Sequence, residues 1–469
     1  MPVDSPVKIV RLRLRNASGR IRRITSTYYA EWVLGGSRRT TQSFVATEYD
    51  STQHALLARC SWNADFADRT AFLVSDRIPH GVTADRSEFI GREGELECPA
   101  GLSRFGLSDR VETSGDPCAA LQIHLDIDPD EEVDVLFVLG QGRDRDRACE
   151  LARHWSKAEQ VDRAWLELRK YWDQMLDGIC VETPDRTFDL MINRWLLYQS
   201  LSARILARSG FYQSSGAFGF RDQLQDRLAF IHVDPDGVRD HIIACAARQF
   251  IEGDVLHWWH PPGNRGVRTR CSDDLLWLPF VTAEYVRATG DRAILDVEIP
   301  FLEAPPLGEK ERDRYALFDI STEVRSLFEH CERALERGVT SGVHGLPLIG
   351  YGDWNDGMDR VGDRGIGESI WLAWFAISTM NDFAKLCEVR SDKSRAATWR
   401  RRARSLTLSV QREGWDGEWY LRAFDDEGFP WGSKNSEECC IDSISQSWAI
   451  LSGAAPPDRA DLALHAADR

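Results

Sequence analysis

The chain has 469 residues, a formal net charge of −16 at pH 7 and 43% hydrophobic residues. That length exceeds one ordinary hydrophobic core and predicts two domains. The acidity argues against nucleic acid or an anionic membrane surface as a partner, and no run of 18 or more apolar residues could span a bilayer. Because the N-terminus has no apolar signal core, we expect a cytoplasmic protein without membrane contact.

The cysteine and tryptophan contents indicate which kinds of site the chain could carry. The eleven cysteines are scattered without CxxC spacing, which predicts free, mostly buried thiols and neither a disulfide framework nor a metal site. Seventeen tryptophans are many for this length, and several stand beside Asp, Asn, His or Gly. Most are expected in the core, but an indole face with one N–H donor also suits the apolar face of a sugar ring.

The first part of the chain is typical of strands. Residues 7–15 alternate as VKIVRLRLR, residues 22–34 are β-branched and aromatic, and residues 121–139 indicate two strands around a Pro-Asp turn. We therefore predict an antiparallel β region up to residue 142. Its strand pattern begins almost at the first residue, so we expect an open sheet edge.

Helical periodicity replaces the strand pattern after residue 142. Residues 144–175 indicate a helical linker, Pro184 interrupts the chain, and a long apolar-periodic helix is predicted over 187–208. Ser272 is a predicted N-cap, with acids in the turn that follows. Long loops rich in Gly, Trp, Asp and His separate the helices, which favours an (α/α) barrel with functional loops at one end. Further helices are predicted over 238–252, 273–289, 322–337, 368–389, 395–412 and 442–452.

The segment with the strongest chemical pattern is LPLIGYGDWNDGMDR, residues 346–360. Its glycines let backbone approach a ligand closely, and its carboxylates and amide can bind hydroxyls. A carboxyl group held against Trp354 could have a raised pKa and act as a general acid. A calcium loop fails on the position of the glycine and of the bidentate acid. An Asp-rich solvated turn stays open.

A second segment, GAFGFRDQLQD at residues 216–226, places acids where a glycine-rich loop enters a helix. Arg221 and Asp222 are candidate sugar-binding residues, and Asp226 follows one turn later. An N-capping Asp with an arginine ion pair is an equal alternative.

A third segment, residues 257–274, combines histidines with positive charge. His257 and His260 have no third ligand at a zinc-like spacing, and a Pro-Pro break follows, so no metal is predicted. Contact with an anion or a sugar is one interpretation of the local positive charge. An ion-pair network with Asp273 and Asp274 is the other. The basic residues are Arg265, Arg268 and Arg270.

Together these segments, with GESIWLAWF at residues 367–375, resemble glycoside hydrolase family 94, the inverting phosphorylases that include cellobiose and chitobiose phosphorylases. The resemblance is strongest to the version in cyclic β-1,2-glucan synthases and β-1,2-oligoglucan phosphorylases. It implies an α+β multidomain protein: a partial antiparallel β-sandwich over 1–142, a helical linker over 143–183 and an (α/α)6 barrel over 184–469. By this comparison the sandwich lacks its start and the barrel its last helices.

The resemblance also implies residue roles. Asp356 matches the proton donor, and Arg208 matches an arginine that binds phosphate. In cellobiose phosphorylases an arginine stands where this chain has Gly216, which favours another β-glucan over cellobiose. Asp353 is expected to hold its loop by accepting backbone N–H groups. Candidate substrate-binding residues are Asp222, Trp354, Arg221 and Asp353.

The implied reaction needs one carboxylate, because phosphate arrives already ionised and requires no base. A β-linked glucan or oligosaccharide and inorganic phosphate are the expected partners, α-glucose 1-phosphate is the expected product, and no cofactor is expected. The family's phosphate-binding His and Thr-Gly pair have no matching string before Arg469. A non-catalytic glucan-binding remnant and a hydrolase on the same barrel therefore stay open, as does a homodimer.

Overall fold

A computed structural model describes residues 1–112, 115–206, 216–261 and 263–469. These residues form two compact units, Met1–Met175 and Leu176–Arg469. No helix of the described residues is long and apolar enough to cross a membrane.

Antiparallel strands dominate the first unit. One sheet has the order β1-β8-β5-β4-β3 and the other the order β2-β7-β6. The strands are β1 Val7–Arg15, β2 Arg22–Glu31, β3 Val45–Asp50, β4 Ala55–Cys60, β5 Thr70–Ser75, β6 Gly81–Asp85, β7 Pro117–Ile127 and β8 Glu132–Gly142. Its helices are α1 Arg38–Thr41, α2 Arg86–Phe89, α3 Arg145–Trp155 and α4 Ala158–Leu176, with 3₁₀ turns at Gln42–Phe44, Ala64–Phe66 and Ala100–Ser103.

The two sheets pack face to face on one apolar core, because side chains alternate across each strand. Leu56 and Leu73 of the larger sheet and Leu121 and Ile123 of the smaller one belong to the same buried cluster. This confirms the predicted antiparallel sandwich, although the sequence patterns had not separated β3 to β6. Strand β1 lies at an edge of the larger sheet.

The other face of the larger sheet is covered by the helices that follow it. Phe72 and Val138 pack with Leu151 and Trp155 of α3 and Ala164 of α4 in a second buried cluster. The last strand ends at Gly142 and α3 begins at Arg145. The three-part division at 142 and 183 stays a prediction.

Helices dominate the second unit, with short strands in its loops. The helices are α5 Arg186–Leu190, α6 Leu196–Gln199, α7 Phe220–Leu228, α8 Pro235–Ala246, α9 Asp274–Thr289, α10 Leu327–Gly338, α11 Ile370–Val389, α12 Lys393–Glu413, α13 Ser443–Leu451 and α14 Pro457–Asp468. Wider π turns span Met191–Trp195 and Ser200–Leu206, and 3₁₀ turns span Ala293–Asp296 and Asp356–Met358. The strands are β9 Phe218–Gly219, β10 Leu256–His260, β11 Arg265–Arg268, β12 Glu298–Glu303, β13 Arg314–Leu317, β14 Asp319–Ser326, β15 Glu368–Ser369, β16 Ala423–Phe424 and β17 Pro430–Trp431.

Helices α9 and α11 are the centre of this unit. Both are buried on most of their circumference, including Trp277, Trp371 and Trp374, as expected of helices surrounded by other helices. Contacts run from α7 to α9, from α9 to α10 and α11, and from α11 to α12 and α13. This confirms a helical domain after the sandwich, and its described helices do not close into a complete barrel.

Two helices have bounds that differ from the sequence prediction by three residues or more. The helix predicted from residue 322 begins at Leu327, because Ser326 and Glu329 form a capping box and the preceding residues pair as β14. The helix predicted over 238–252 begins at Pro235, behind the capping Asp234, and ends at Ala246. The short antiparallel sheets in the loops were also missed, since most of their strands have only two to five residues and carry little periodicity.

Candidate active site

The DWND loop, residues 353–356, follows glycines that another residue could replace only at a cost in stability. Gly350 and Gly352 have φ values of 61° and 100°, a region that L side chains rarely adopt. A Cβ on Gly350 would lie 2.4 Å from the carbonyl oxygen of Arg270. The loop therefore passes directly against the chain that leads into α9.

Asp353, the first acid of this loop, is fully buried and fixed by a bidentate ion pair. Arg422 donates from Nη2 to Oδ1 at 2.5 Å and from Nη1 to Oδ2 at 2.7 Å. The hydroxyl of Ser369 donates to Oδ2 at 2.7 Å, and the backbone N–H of Asn355 donates to Oδ1 at 3.2 Å. With these contacts Asp353 anchors the loop and is closed to a sugar, although the sequence had suggested substrate binding.

Asp356, three residues later, is the accessible acid of the motif. It opens a 3₁₀ turn that is capped by Asn355, whose side chain accepts the N–H of Gly357. Its side chain is 59% exposed, and its Oδ1 accepts a hydrogen bond from Arg221 Nη2 at 2.9 Å. The other oxygen, Oδ2, lies 4.0 Å from His257 Nε2.

Arg221 connects the two candidate segments. Its side chain is 7% exposed, and besides Asp356 it binds Asp273 Oδ1 at 3.1 Å and the carbonyl oxygen of Asp353 at 3.1 Å. Burial lowers the pKa of Arg221, but the carboxylates of Asp273, Asp274 and Asp356 outweigh it and raise that pKa above its ordinary value. Its cation is thus permanently available to orient Asp356.

Asp273 and Asp274, the two acids at the start of α9, lie close to the Arg221 guanidinium. Neither is an exposed residue that caps the helix with its side chain. Asp273 is fully buried and accepts from the indole N–H of Trp277 at 3.0 Å. Burial raises the pKa of Asp273, and the Arg221 guanidinium opposes that rise. Ser272, predicted as the N-cap, instead donates its hydroxyl to the carbonyl of Gly352 at 3.2 Å, and Asp273 occupies the cap position.

A histidine–carboxylate pair stands on the other side of Asp356. Nδ1 of His257 lies 2.7 Å from Oδ2 of Asp274, whose side chain is 3% exposed. Burial lowers the pKa of His257, but Asp274 and then Asp356 outweigh it and raise the pKa to about 9. The imidazole is therefore charged at neutral pH, which the sequence analysis had not foreseen.

Cys271 completes a cluster with His257 and Asp274 whose ligand atoms lie within 4.8 Å of one another. Burial, followed by the neighbouring acids, raises the pKa of this thiol far above its usual range, whereas a metal requires the thiolate. The guanidinium of Arg221 also occupies the same neighbourhood. The donor set fits a metal poorly, and the prediction of no metal stays untested.

Helix α7 brings the sugar-binding candidates toward the loop. The indole N–H of Trp354 donates to Oε1 of Gln225 at 3.1 Å, and 44% of Trp354 is exposed. Asp222 has a side chain 31% exposed, with Oδ1 3.7 Å from Nε of Arg221. A shared sugar-binding cavity for Asp222 and Asp356 stays a prediction, and Arg208 lies outside the described residues.

Two arginines of the third segment, residues 257–274, have structural roles. Arg268 is buried against Asp254, with both N···O distances at 2.6 Å, and Arg270 donates to backbone carbonyls of residues 308–311. This corrects the expectation of contact with a sugar or anion at these two positions. The alternative, an ion-pair network with Asp273 and Asp274, is also wrong for these two arginines, because Arg268 binds Asp254 and Arg270 binds backbone carbonyls.

Two further acids support the loops and were missed from the sequence. Glu368 is buried and accepts the backbone N–H groups of His344 and Leu346. Asp426 accepts three, from residues 364, 366 and 367. Both bind backbone from distant segments, and no local spacing rule predicts such partners.

Comparisons with known proteins agree with this architecture. The profile of the glycosyl hydrolase 94 superfamily catalytic domain matches residues 171–469, and that of the glycosyl hydrolase 94 supersandwich domain matches residues 1–158. The cyclic β-(1,2)-glucan synthase NdvB of Rhizobium meliloti (strain 1021) is 43% identical over 98% of this chain, which covers 16% of that protein. Solabiose phosphorylase of Paenibacillus borealis is 28% identical over 99% of this chain and 58% of its own length.

One solved structure shows the same fold. A bacterial glucoamylase complexed with acarbose superimposes with a TM-score of 0.57 at 12% identity, over 99% of this chain and 69% of that chain. At that identity the likeness concerns the fold alone. The chain spans less than two thirds of the length of the glucan synthase and of the solabiose phosphorylase.

Proposed function

Since the chain belongs to glycoside hydrolase family 94, we propose that it carries the site of an inverting glycoside phosphorylase with Asp356 as the proton donor. Phosphate attacks the anomeric carbon of a β-glucoside while Asp356 protonates the leaving oxygen. The products are α-glucose 1-phosphate and a shortened sugar.

The observation that carries this proposal is the division of labour within the DWND loop. Asp353 is buried and doubly bound by Arg422, so it cannot reach a substrate. Asp356 is 59% exposed and held through only one oxygen by Arg221. A general acid needs this combination of fixed orientation and an accessible carboxyl oxygen.

A single donor suffices because the nucleophile is an anion. An inverting hydrolase needs a second carboxylate that activates water, but the neighbouring acids Asp273 and Asp274 are buried against Arg221 and His257. Phosphate needs positive charge and hydrogen-bond donors instead. Arg208 is our candidate for that contact, by resemblance to the family.

For the substrate we propose β-linked gluco-oligosaccharides, with β-1,2-glucan preferred. The 43% identity to a cyclic β-(1,2)-glucan synthase supports this choice, and so does Gly216 in place of the arginine of cellobiose phosphorylases. The same identity supports a second candidate, a segment that binds glucan without phosphorolysis, because this chain covers 16% of that synthase.

The test is release of glucose 1-phosphate from β-1,2-gluco-oligosaccharides and from cellobiose, with and without phosphate. We expect release only with phosphate, and a loss of about 10²–10⁴-fold in Asp356→Asn. Asp359→Asn, three residues along the same motif, is the matched control and should stay active. Free glucose without phosphate would support a hydrolase, and glucan binding without any product would support the binding segment.

A further inference from the structure

The pair formed by His257 and Asp274 has no role in the mechanism so far. Nδ1 of His257 is 2.7 Å from Asp274, and Nε2, its other ring nitrogen, is 4.0 Å from Asp356 Oδ2. A histidine held at one nitrogen by a buried carboxylate has a fixed ring orientation. Here that orientation aims the second nitrogen at the proposed proton donor.

The two cations beside Asp356 differ in what they can do. Arg221 holds Oδ1 but cannot release a proton in a protein. His257 faces Oδ2, and its ring nitrogen, unlike a guanidinium, can release and recover a proton. Of the two carboxylate oxygens of Asp356, Oδ1 is therefore oriented by Arg221, and Oδ2 lies near His257, which can carry a proton.

The charged groups that act most strongly on the imidazole come from three parts of the described chain, and the thiol of Cys271, whose pKa burial raises well above its usual range, lies beside it. Asp274 comes from the start of α9, Asp356 from the DWND loop, and Arg221 from α7. Asp273 also lies at the start of α9 but binds Arg221 and Trp277. The net surroundings favour the protonated imidazole, so His257 carries a proton beside Asp356 at neutral pH.

We propose that His257, held by Asp274, shares one proton with Asp356 and supplies it for each round of phosphorolysis. This inference rests on the proposed function. His257 acts through Asp356 and is therefore a positioning residue, which stores the proton that Asp356 delivers.

The proton balance closes with phosphate as the only co-substrate. His257 Nε2 gives its proton to Asp356 Oδ2, across one water or after a shift of about 1 Å that brings the atoms to hydrogen-bonding distance. Sugar binding favours this step, because removing water from an exposed carboxylate favours its neutral form. Asp356 then protonates the leaving oxygen as the C1–O bond breaks and the bond to phosphate forms. The imidazole then recovers a proton from solvent. Solvent in turn receives the proton that hydrogen phosphate carried, so no net proton is gained or lost.

The kinetic test compares His257→Gln with His260→Gln, the same change three residues along strand β10. We expect His257→Gln to lose roughly tenfold or more on β-1,2-gluco-oligosaccharide, less than loss of the acid itself, and little on β-glucosyl fluoride, whose leaving group needs less protonation. The alkaline limb of its kcat/KM profile should move to lower pH, whereas His260→Gln should match the parent chain. An unchanged profile, or equal losses on both substrates, would assign His257 a purely structural role and overturn the proposal.

A second readout does not require turnover. In the full chain with ¹⁵N-labelled histidine, Asp356→Asn should lower the pKa of His257 and leave that of His260 unchanged, because only His257 faces the carboxylate. An unchanged titration of His257 would refute proton sharing. If the parent chain released no sugar phosphate, the proposed function would fail, while this titration would still decide whether the two residues share a proton.

Discussion

Replacing Arg422 by methionine should destabilise the helical unit strongly without touching the proposed proton donor. The Arg422 side chain is 2% exposed, and it reaches Asp353 at 2.5 and 2.7 Å, Ser369 at 3.2 Å and Asp442 at 3.1 Å. Methionine fills a similar length but leaves the Asp353 carboxylate buried without its cation. Breaking a buried pair in this way costs about 3–5 kcal/mol.

For a unit of this size, each kcal/mol lowers Tm by about 2 °C, so we expect a fall of roughly 6–10 °C. Thermal unfolding monitored by tryptophan fluorescence measures it, since Trp277, Trp371 and Trp374 are buried in this unit. Arg400→Met is the matched control, because Arg400 binds Glu388 on the surface, and exposed pairs contribute little.

The double variant Arg422→Met with Asp353→Asn refines the prediction. Removing both charges should recover part of the loss, because an unpaired buried charge costs more than an absent pair. A fall in Tm of less than about 2 °C in Arg422→Met would contradict the reasoning. So would a double variant that is additive, since residues in direct contact should couple.

Further predictions concern other parts of the site. The pKa of His257 is raised from 6.5 to about 9 in the folded chain, so its contribution to stability is complete below about pH 6.5 and is lost as pH rises through 9; Tm measured against pH should lose this component in His257→Gln, and an identical slope would refute it. Gly350→Ala should destabilise the fold by more than about 1 kcal/mol, because φ is 61° and the new Cβ meets the Arg270 carbonyl at 2.4 Å. In chemical denaturation Gly365→Ala, whose Cβ would meet nothing within 4 Å, should lose less free energy of unfolding. Equal losses would show that the contact between the new Cβ and the Arg270 carbonyl does not matter. Trp354→Ala should weaken glucan binding in calorimetry and leave Tm unchanged, because Trp354 is 44% exposed; full affinity would exclude it from the sugar site.

Local pattern was enough to predict much of the fold. Along β1, Leu12 and Leu14 are partly buried and alternate with exposed arginines, and the apolar circumference of α11 follows from burial among helices. Helix starts were less certain. The capping box of Ser326 and Glu329 was legible in the sequence, but a periodic pattern that continued upstream into β14 led to a start five residues too early.

The site was predictable in its segments but not in its pairings. The sequence indicated that Arg221 and the DWND acids belong to one function. It could not assign Arg422 to Asp353, 69 residues away, or Arg221 to Asp273, 52 residues away. Many arginines and aspartates are available in this chain, and which ones meet depends on the folded path of the loops between them.

The central claim is that phosphate is the nucleophile and Asp356 the proton donor in an inverting reaction. Time-resolved ¹H and ³¹P NMR of the chain with phosphate and a β-1,2-gluco-oligosaccharide tests it most directly, because the phosphate ester locks the anomeric configuration of the product, which the spectra then report. The account predicts α-glucose 1-phosphate from the parent chain and its formation about 10²–10⁴-fold more slowly by Asp356→Asn under the same conditions. β-Glucose 1-phosphate, or α-glucose 1-phosphate formed at an undiminished rate by Asp356→Asn, would contradict it.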